Sequence, residues 1–298
     1  MKVLKFGGTS VGSAEGLHHV KDIVLASARQ QQVVVVVSAL SGVTNQLEKV
    51  AASAIAGNED FVTIIDELRN RHHTIIGQVV DKASQEDCAD VIDGYLDDLL
   101  RQAKAFAEIR HGAEAAQDRF WDLAVSFGEL MSSVIVTAMI PGTVSHYAPE
   151  FIKTRHSRDK GPVLSRDFTN RLIRMEFFGS EAQIHLTQGF IAQDRRKGFI
   201  TNLGRGGSDL TAALIAAALK ADCLEIWTDV DGFYDSDPRK NPDAVLLPEM
   251  TFDQAQELAD AGAKVVYPPT LAPVKRRKIK VWVKNTFNPS APGTFIHN

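Results

Sequence analysis

The 298-residue chain is poor in cysteine and has neither a long basic tract nor an apolar run approaching the ~20 residues of a membrane span. Its two cysteines, Cys88 and Cys223, lie far apart and fit neither a disulfide framework nor a zinc site. Lysine and arginine total 33 against 37 acidic residues, and the densest basic cluster covers only residues 275–278, so nucleic-acid binding is not expected. Residues 1–6 lack the apolar stretch of a signal peptide. A cytoplasmic protein without membrane contact is therefore predicted.

Short β-branched runs alternate along the chain with longer amphipathic segments. That alternation is typical of the α/β class, with an open, mainly parallel central sheet sandwiched by helices. Residues 33–37 are five consecutive valines, which favour a central strand that is apolar on both faces. The predicted strands cover residues 3–6, 33–37, 142–146, 185–191, 199–203, 223–228 and 279–283.

The stretch from about residue 59 to 140 differs in composition. It is rich in Leu, Ala, Glu, Asp, Arg and Gln, with apolar residues at helical spacing, so it is predicted to form a helical insertion in the N-terminal half. A second half follows with its own strand, glycine loop, helix and strand. Because the sequence shows neither repeats nor a long linker, two lobes are predicted, residues 1–200 and 201–298, forming one body with a cleft between them.

A first glycine loop, residues 5–13, follows the first predicted strand. Adjacent Gly7 and Gly8 allow close approach of a ligand to the backbone, and a helix starting near Ser13 would direct free N–H groups at an anion. The loop is not a Walker A motif, because no Lys-Ser/Thr pair follows its last glycine. Lys5 instead precedes the glycines, where its ammonium could reach a phosphate. A tight turn with an exposed lysine is the alternative.

A second glycine loop, residues 201–209, lies between a predicted strand and a helix predicted over residues 210–221. Its Gly-x-Gly spacing resembles a dinucleotide fingerprint, but Asp209 occupies the third glycine position and would repel a pyrophosphate. Ser208 or Asp209 would also serve as an ordinary helix N-cap. Arg205 is not explained by capping, and its forked guanidinium suits a planar carboxylate.

A third cluster, residues 228–239, follows the predicted strand 223–228 and is rich in turn-forming residues. Its aspartates lack the register of a calcium-binding loop. Ligands bind at the carboxyl ends of strands in parallel sheets, so Arg239 could meet a phosphate and Tyr234 could pack on a base. A plain surface turn is the alternative.

The three clusters, in this order, resemble those of the amino acid kinase family and, within it, the aspartokinases. The matching segments are residues 5–11 (KFGGTSV), 38–45 (SALSGVTN), 127–129 (FGE), 204–209 (GRGGSD), 228–232 (TDVDG) and 262–265 (GAKV). They span nearly the whole chain and are more specific together than any single loop. Residues 283–294 resemble the end of the kinase part of bifunctional aspartokinase–homoserine dehydrogenases.

Two features depart from the aspartokinase pattern. Tyr267 precedes two prolines where aspartokinases usually carry His-Pro, which leaves the local contact of this residue open but removes no charge. The chain also stops where the regulatory ACT domains of the family would begin. The resemblance therefore implies a catalytic domain, followed in the full protein by regulatory domains and possibly a homoserine dehydrogenase.

The resemblance implies transfer of the ATP γ-phosphoryl group to the β-carboxylate of L-aspartate, the first step of lysine, threonine and methionine biosynthesis. Aspartate would bind in the N-terminal lobe and ATP in the C-terminal lobe, with Mg²⁺ bridging the phosphates, no side-chain metal site, and a homo-oligomeric full-length protein. The implied catalytic residues are Lys5, Asp209 and Lys264. The implied substrate-binding residues are Ser38, Thr44, Glu129, Arg205 and Ser208. The implied nucleotide-binding residues are Lys5, Gly7, Gly8, Thr9, Ser10, Thr228, Asp229, Tyr234, Arg239 and Lys264.

Within these sets, the resemblance implies that Arg205 clamps the α-carboxylate of aspartate and that Glu129 pairs with its α-ammonium. Ser38 and Thr44 would hold the side-chain carboxylate, which is already an anion at neutral pH because an aspartate side chain ordinarily titrates near pH 3.9. No general base is needed, and catalysis should depend on positioning and cationic stabilisation. Without the resemblance, Glu129 would be an ordinary helix residue.

Three alternatives stay open. The chain could be a kinase for glutamate or an N-acetylated relative, and an acidic partner for a free ammonium at Glu129 favours a substrate that is not acylated. It could be a dinucleotide-binding oxidoreductase, against which Asp209 argues. It could also be a catalytically silent ligand sensor.

Overall fold

The computed structural model describes residues 1–109, 113–157, 161–236, 240–241, 243–262 and 265–298. In this part of the chain, eight strands form a central sheet and four form a smaller one. The strands are β1 (Lys2–Phe6), β2 (Val33–Val37), β3 (Thr143–His146), β4 (Lys153–Ser157), β5 (Gly161–Leu164), β6 (Ile184–Gln188), β7 (Ile191–Asp194), β8 (Ile200–Asn202), β9 (Cys223–Thr228), β10 (Glu249–Thr251), β11 (Lys280–Asn285) and β12 (Thr294–His297).

The central sheet has the order β10-β12-β11-β9-β1-β2-β6-β3 and is parallel except where β12 pairs with β11. All five valines of β2 are buried, because this strand lies between β1 and β6 and is covered on both faces. The predicted open, mainly parallel sheet is confirmed. The division into lobes at residue 200 stays a prediction, and the central sheet runs across it because β1 pairs with β9.

Helices cover the central sheet, as predicted. They are α1 (Gly8–Val11), α2 (Ala14–Ala28), α3 (Val43–Ala56), α4 (Asp60–Val79), α5 (Lys82–Glu108), α6 (Glu114–Met139), α7 (Ala148–Phe151), α8 (Arg166–Glu176), α9 (Gly207–Leu219), α10 (Phe252–Asp260) and α11 (Ala272–Arg277), with a 3₁₀ turn at Pro268–Leu271. The predicted helical insertion corresponds to α4, α5 and α6, which pack on one another and on α3.

Helix α6 is long and apolar enough to cross a membrane by length and composition, but 72% of its most apolar 18-residue window is buried inside the protein. Its second half, from Ala124 to Met139, is mostly buried. A core helix of a globular domain passes the same composition test, so α6 is weak evidence for a membrane span. Its buried face instead packs on α3, α5 and the sheet.

The structure corrects several predicted boundaries. The strand predicted over residues 185–191 ends at Gln188, because Phe190 adopts a positive φ of 65° and the chain turns before β7. The strand predicted over residues 199–203 is β8, which belongs to the smaller sheet of order β5-β4-β7-β8. Helix α9 begins at Gly207 with Gly206 as its N-cap, so Ser208 and Asp209 lie in its first turn rather than capping it.

Candidate active site

Three loops meet at the carboxyl edge of the central sheet. Phe6 at the end of β1 pairs in register with Val37 on one side and with Trp227 on the other. The first glycine loop, the segment starting at Ser38 and the loop starting at Thr228 therefore leave the sheet at the same edge. This is the edge at which parallel sheets bind ligands.

Lys5 and Asp209 form an ion pair that joins β1 to α9. Their Nζ and Oδ1 atoms are 2.7 Å apart, and the side chains are only 12% and 10% exposed. Both residues come from the predicted catalytic set, one from each predicted lobe. A lysine held by a carboxylate at the rim of a cavity is a cation whose position is fixed before a ligand arrives.

A cavity of about 500 Å³ opens beside Lys5 and Ser38, and α3, α6 and the second glycine loop supply most of its remaining wall. Six of the predicted site residues line it: Lys5, Ser38, Thr44, Arg205, Ser208 and Asp209. The cavity also has apolar walls and a further carboxylate, supplied by residues that sequence analysis did not single out: Glu48, Trp121, Val125, Phe190 and Asn202. The ammonium of Lys5 and the guanidinium of Arg205 thus share one hollow, as an anionic ligand would require.

Glu129, on α6, is buried outside the cavity lining and bonds to the backbone of Ala39, which directly follows the lining residue Ser38. Its Oε1 accepts a hydrogen bond from the N–H of Ala39 at 3.1 Å, and its Oε2 has no hydrogen-bond partner among the described residues. Burial raises the pKa of Glu129 to about 8, while the N–H of Ala39 and the charge of Lys5 act in the opposite direction. A buried carboxyl oxygen without a partner is uncommon in folded proteins, and an absent ligand is one explanation for it.

The turn that carries Arg205 depends on two glycines. Gly204 and Gly206 both have φ of 70°, and a Cβ at Gly206 would lie 2.9 Å from Tyr267 Cβ and 2.9 Å from Thr270 Cγ2. Arg205 is held between them with its guanidinium 5.4 Å from the centre of the Tyr267 ring. The residue that departs from the aspartokinase pattern therefore packs on the predicted carboxylate clamp.

The first glycine loop differs from expectation in detail. The N–H of Gly7 donates to the carbonyl oxygen of Trp227 at 3.1 Å, so in this conformation it is not available to a phosphate. Ser10 is buried, and its hydroxyl lies 2.7 Å from that of Thr286 and 3.3 Å from the Trp227 carbonyl oxygen, away from the cavity. Thr9 is exposed. The first long helix after the loop is α2, with Ser13 as its N-cap.

Close approach explains Gly8. A Cβ there would lie 3.0 Å from the Ala39 carbonyl oxygen, and the N–H of Ser41 donates to the Gly8 carbonyl oxygen at 3.0 Å. This glycine therefore allows the loop after β1 to pack against the loop after β2.

Of the residues predicted for the nucleotide, Lys5 lines the cavity, whereas Thr228, Asp229 and Tyr234 do not. Thr228 ends β9 and its hydroxyl donates to Oδ1 of Asp229 at 3.1 Å. Tyr234 is half-buried, and burial together with the neighbouring Asp231 raises its phenol pKa. Two other predicted residues, Arg239 and Lys264, lie outside the described residues.

The cavity residues missed by sequence analysis differ in how visible they are. Glu48 follows Thr44 by one helical turn on α3, and Trp121 precedes Glu129 by about two turns on α6, so helical spacing could have indicated both. Asn202 ends β8 and belongs to the second glycine loop, two residues before Gly204. Phe190 gives no such indication, because its place depends on a positive φ that sequence spacing does not encode.

The cavity can accommodate a ligand that carries both signs of charge. Two cations, Lys5 and Arg205, face it together with the carboxylates of Glu48 and Asp209, and Glu129 is buried outside its lining. Among the described residues, no group of three His, Cys, Asp or Glu side chains could hold a metal ion. The cavity thus offers cations that complement carboxylates and carboxylates that complement an ammonium.

A mainly parallel α/β fold with a charged cavity at the carboxyl edge of its sheet is typical of proteins that bind small polar ligands. The chain belongs to the amino acid kinase family, whose model matches residues 1–285. It is 33% identical over 300 residues to the chloroplastic bifunctional aspartokinase/homoserine dehydrogenase 1 of Zea mays, covering 99% of this chain and 32% of that protein. It is 34% identical over 307 residues to the chloroplastic aspartokinase 1 of Arabidopsis thaliana, covering 99% and 51%.

A solved structure shows the same fold. Aspartokinase III of E. coli, in complex with aspartate and ADP in the R-state, superposes with a TM-score of 0.87 at 33% identity, covering 100% of this chain and 64% of that one. The chain thus spans about one third to one half of the length of the curated relatives it matches.

Proposed function

We propose that this chain is the catalytic domain of an aspartokinase, which transfers the γ-phosphoryl group of ATP to the β-carboxylate of L-aspartate. The observation that carries the proposal is the shared cavity of Lys5, Arg205 and Asp209. Support comes from relatives and a solved structure named as aspartokinases, the latter holding aspartate and ADP.

On the substrate side, the forked guanidinium of Arg205 binds the α-carboxylate of aspartate. The hydroxyls of Ser38 and Thr44 hold the side-chain carboxylate and leave one oxygen free to attack. Ser208, at the start of α9, faces the same cavity and completes this polar wall. The α-ammonium pairs with Glu129, whose Oε2 is buried without a hydrogen-bond partner among the described residues.

In the reaction, an oxygen of the β-carboxylate forms a bond to the γ-phosphorus as the bond from that phosphorus to the β,γ-bridging oxygen breaks. The products are β-aspartyl phosphate and ADP. Both reactants are anions, so the barrier comes largely from their repulsion and no proton has to be removed from the nucleophile. Lys5 neutralises charge on the transferring group, and Asp209 holds its ammonium in place.

The nucleotide lies toward the loop that begins at Thr228 and Asp229, with Tyr234 near its base and the first glycine loop over its phosphates. A Mg²⁺ ion bound to the triphosphate would supply further positive charge there, and it would need few protein ligands because this ion commonly keeps several waters.

Two other substrates are disfavoured by the site. An N-acetylated amino acid has no ammonium to pair with the buried carboxyl of Glu129. A dinucleotide would bring its pyrophosphate against Asp209, which is already paired with Lys5. Glutamate is one methylene longer than aspartate, and a direct comparison of the two substrates tests that alternative.

The full-length protein is proposed to be a cytoplasmic homo-oligomer with regulatory domains, and in bifunctional relatives a dehydrogenase, C-terminal to this part. The additional domains are proposed from the relatives, of which the chain spans only one part. The cytoplasmic location and the homo-oligomer are proposed from the sequence resemblance. The pathway role is amino-acid biosynthesis leading to lysine, threonine and methionine.

The decisive experiment traps the product. The purified chain is incubated with ATP, Mg²⁺ and L-aspartate in the presence of hydroxylamine, which converts an acyl phosphate into a coloured hydroxamate. Hydroxamate should form only when ATP and aspartate are both present, with glutamate and N-acetylaspartate as comparison substrates. Binding of aspartate without hydroxamate would assign the chain to ligand sensing instead.

A further inference from the structure

A chain of hydrogen bonds joins helix α6 to the turn that carries Arg205. The side-chain amide nitrogen of Asn202 donates to Oδ1 of Asp122, and the amide oxygen of Asn202 accepts from the N–H of Gly204, 3.0 Å away. Asn202 thus uses both ends of its amide, one toward α6 and one toward the turn. Arg205 is the residue that immediately follows the bonded glycine.

The conformation of this turn is not imposed by packing at its first glycine. Gly204 adopts φ of 70°, and a Cβ built there would meet nothing within 4 Å. Glycine in open space has many accessible conformations, so hydrogen bonds must select the one observed. The bond from Gly204 to Asn202 and the bond from the Gly207 N–H to the Gly204 carbonyl oxygen at 2.9 Å make that selection.

Asp122 lies where α6 packs against β8. The guanidinium of Arg119, one turn earlier on α6, lies 4.7 Å from the ring centre of Phe199, which directly precedes β8. Trp121, next to Asp122, lines the cavity. Burial and, to a smaller extent, the charge of Asp118 raise the pKa of Asp122 to about 7, although the hydrogen bond from Asn202 acts in the opposite direction. A half-buried carboxylate costs free energy unless it is hydrogen-bonded, so Asp122 and Asn202 are held together by their hydrogen bond.

We infer that Asp122 is a positioning residue which, through Asn202, fixes the turn of Gly204, Arg205 and Gly206 so that the guanidinium meets the substrate's α-carboxylate. The inference rests on the proposed function for the identity of that substrate. It assigns to α6 a second task besides carrying Glu129: the helix that presents a carboxyl for the ammonium also sets the clamp for the carboxylate. One helix, α6, would then position the group that binds the ammonium of the amino acid and the group that binds its α-carboxylate.

The test compares variants by steady-state kinetics in the hydroxamate assay, with aspartate and ATP varied in turn. Asp122→Ala should raise KM for aspartate by about tenfold, since small misplacements of a binding group cost that much or more, while KM for ATP stays within about twofold. Asp122→Asn keeps a carbonyl oxygen that accepts from Asn202 and should restore KM toward the wild-type value. Asn202→Ala should resemble Asp122→Ala, and the double variant should be no worse than Asn202→Ala alone, because both residues act through one bond.

Asp118→Ala is the matched control, since it removes an exposed carboxylate one turn away on the same helix and should leave both KM values unchanged. The inference is overturned if KM for aspartate in Asp122→Ala stays within twofold of wild type, if KM for ATP rises equally, or if Asp122→Asn is as impaired as Asp122→Ala. Should Asp122→Ala not fold, Asn202→Ala and Asp122→Asn carry the same comparison.

Failure of the proposed function has a different signature. It would appear as absence of hydroxamate from the wild-type chain. Calorimetric titration of aspartate into wild type and Asp122→Ala then decides the inference on its own: weaker binding to the variant supports it, and equal binding, or none to either protein, overturns it.

Discussion

The ammonium of Lys5 lies 2.7 Å from Oδ1 of Asp209, and this pair links the first strand of the chain to the helix that follows the second glycine loop. Each side chain is about nine-tenths buried. Removing one partner of such a pair leaves an uncompensated charge in a poorly solvated place, which is more costly than losing an exposed pair. The ion pair therefore holds the ammonium of Lys5 in one position, and the proposed catalytic role of Lys5 depends on that position.

Lys5→Met should separate turnover from nucleotide affinity. The substitution keeps an unbranched side chain but removes the cation proposed to stabilise the transferring phosphoryl group. We expect kcat to fall by about 100-fold or more and the Kd for ATP to change by less than about threefold. A coupled assay of ADP release and an equilibrium nucleotide titration measure the two quantities. Equal losses in both would contradict the role.

Lys2→Met is the matched control for that experiment. Lys2 lies on the same strand and pairs with Glu225 at 3.1 Å, away from the cavity lining. Its loss should leave kcat and the Kd for ATP near their wild-type values. A drop in turnover comparable to that of Lys5→Met would show that the strand tolerates no such change and would remove the catalytic interpretation.

Arg205→Ala should weaken aspartate binding by about 2–4 kcal/mol, because the α-carboxylate loses its charged, hydrogen-bonding partner. Calorimetric titration of aspartate measures the change. Arg101→Ala is a suitable control, since Arg101 is an exposed arginine of α5 whose ion pair with Asp98 is of the surface kind that contributes little. Unchanged affinity in Arg205→Ala would exclude this guanidinium from the substrate site.

The elements that sequence patterns predicted best are those whose pattern is dictated by the core. Five valines that must be apolar on both faces gave β2 its observed bounds of Val33–Val37. The strands β4 and β5 were not predicted, because β4 is polar (KTRHS) and β5 contains Pro162. They are strands because they pair with each other in the smaller sheet, although neither shows an alternation of apolar and polar residues. The same applies to β10, which is three residues long and pairs with β12.

Site residues were predictable where a loop has a distinctive composition and unpredictable where the tertiary fold supplies them. Arg205 stood out within its glycines, whereas Phe190 reaches the cavity only because the chain turns there with a positive φ between β6 and β7. Ser10 shows the converse: it occurs in a glycine loop typical of phosphate binding, yet its hydroxyl is buried between Trp227 and Thr286. Spacing alone does not tell which way a hydroxyl points.

Aspartate binding should release a proton through Glu129. In the free protein, burial raises the pKa of this carboxyl to about 8, so it is largely protonated at pH 7. An ammonium placed against its orphaned oxygen favours the carboxylate and lowers that pKa. Proton release on binding follows, and aspartate affinity should rise as pH increases from about 6 to 8. Calorimetry in two buffers of different ionisation enthalpy measures the protons released.

Two variants identify the group that releases the proton. Glu129→Gln should bind aspartate more weakly and without proton release, while Glu48→Gln, which alters a carboxylate in the cavity lining, should retain the release. If proton release is retained in Glu129→Gln and lost in Glu48→Gln, the substrate ammonium pairs with Glu48, and the role proposed for Glu129 is refuted.

Acid should destabilise the protein through His72, which is fully buried on α4. Its Nδ1–H donates to the Leu68 carbonyl oxygen at 2.7 Å, and its Nε2 has no hydrogen-bond partner among the described residues, so protonation would bury an unpaired charge. Burial lowers the pKa of His72 to about 4, against an unfolded value of about 6.5. The unfolded chain therefore binds the extra proton first, and the free energy of unfolding decreases as pH falls from about 6.5 to 4.

Urea denaturation at pH 5 and 7.5 measures this linkage. Between the two pH values, the free energy of unfolding of His72→Leu should fall by about 2 kcal/mol less than that of wild type. The exposed-site variant His18→Leu should lose as much as wild type, and an equal loss in His72→Leu would disprove the linkage.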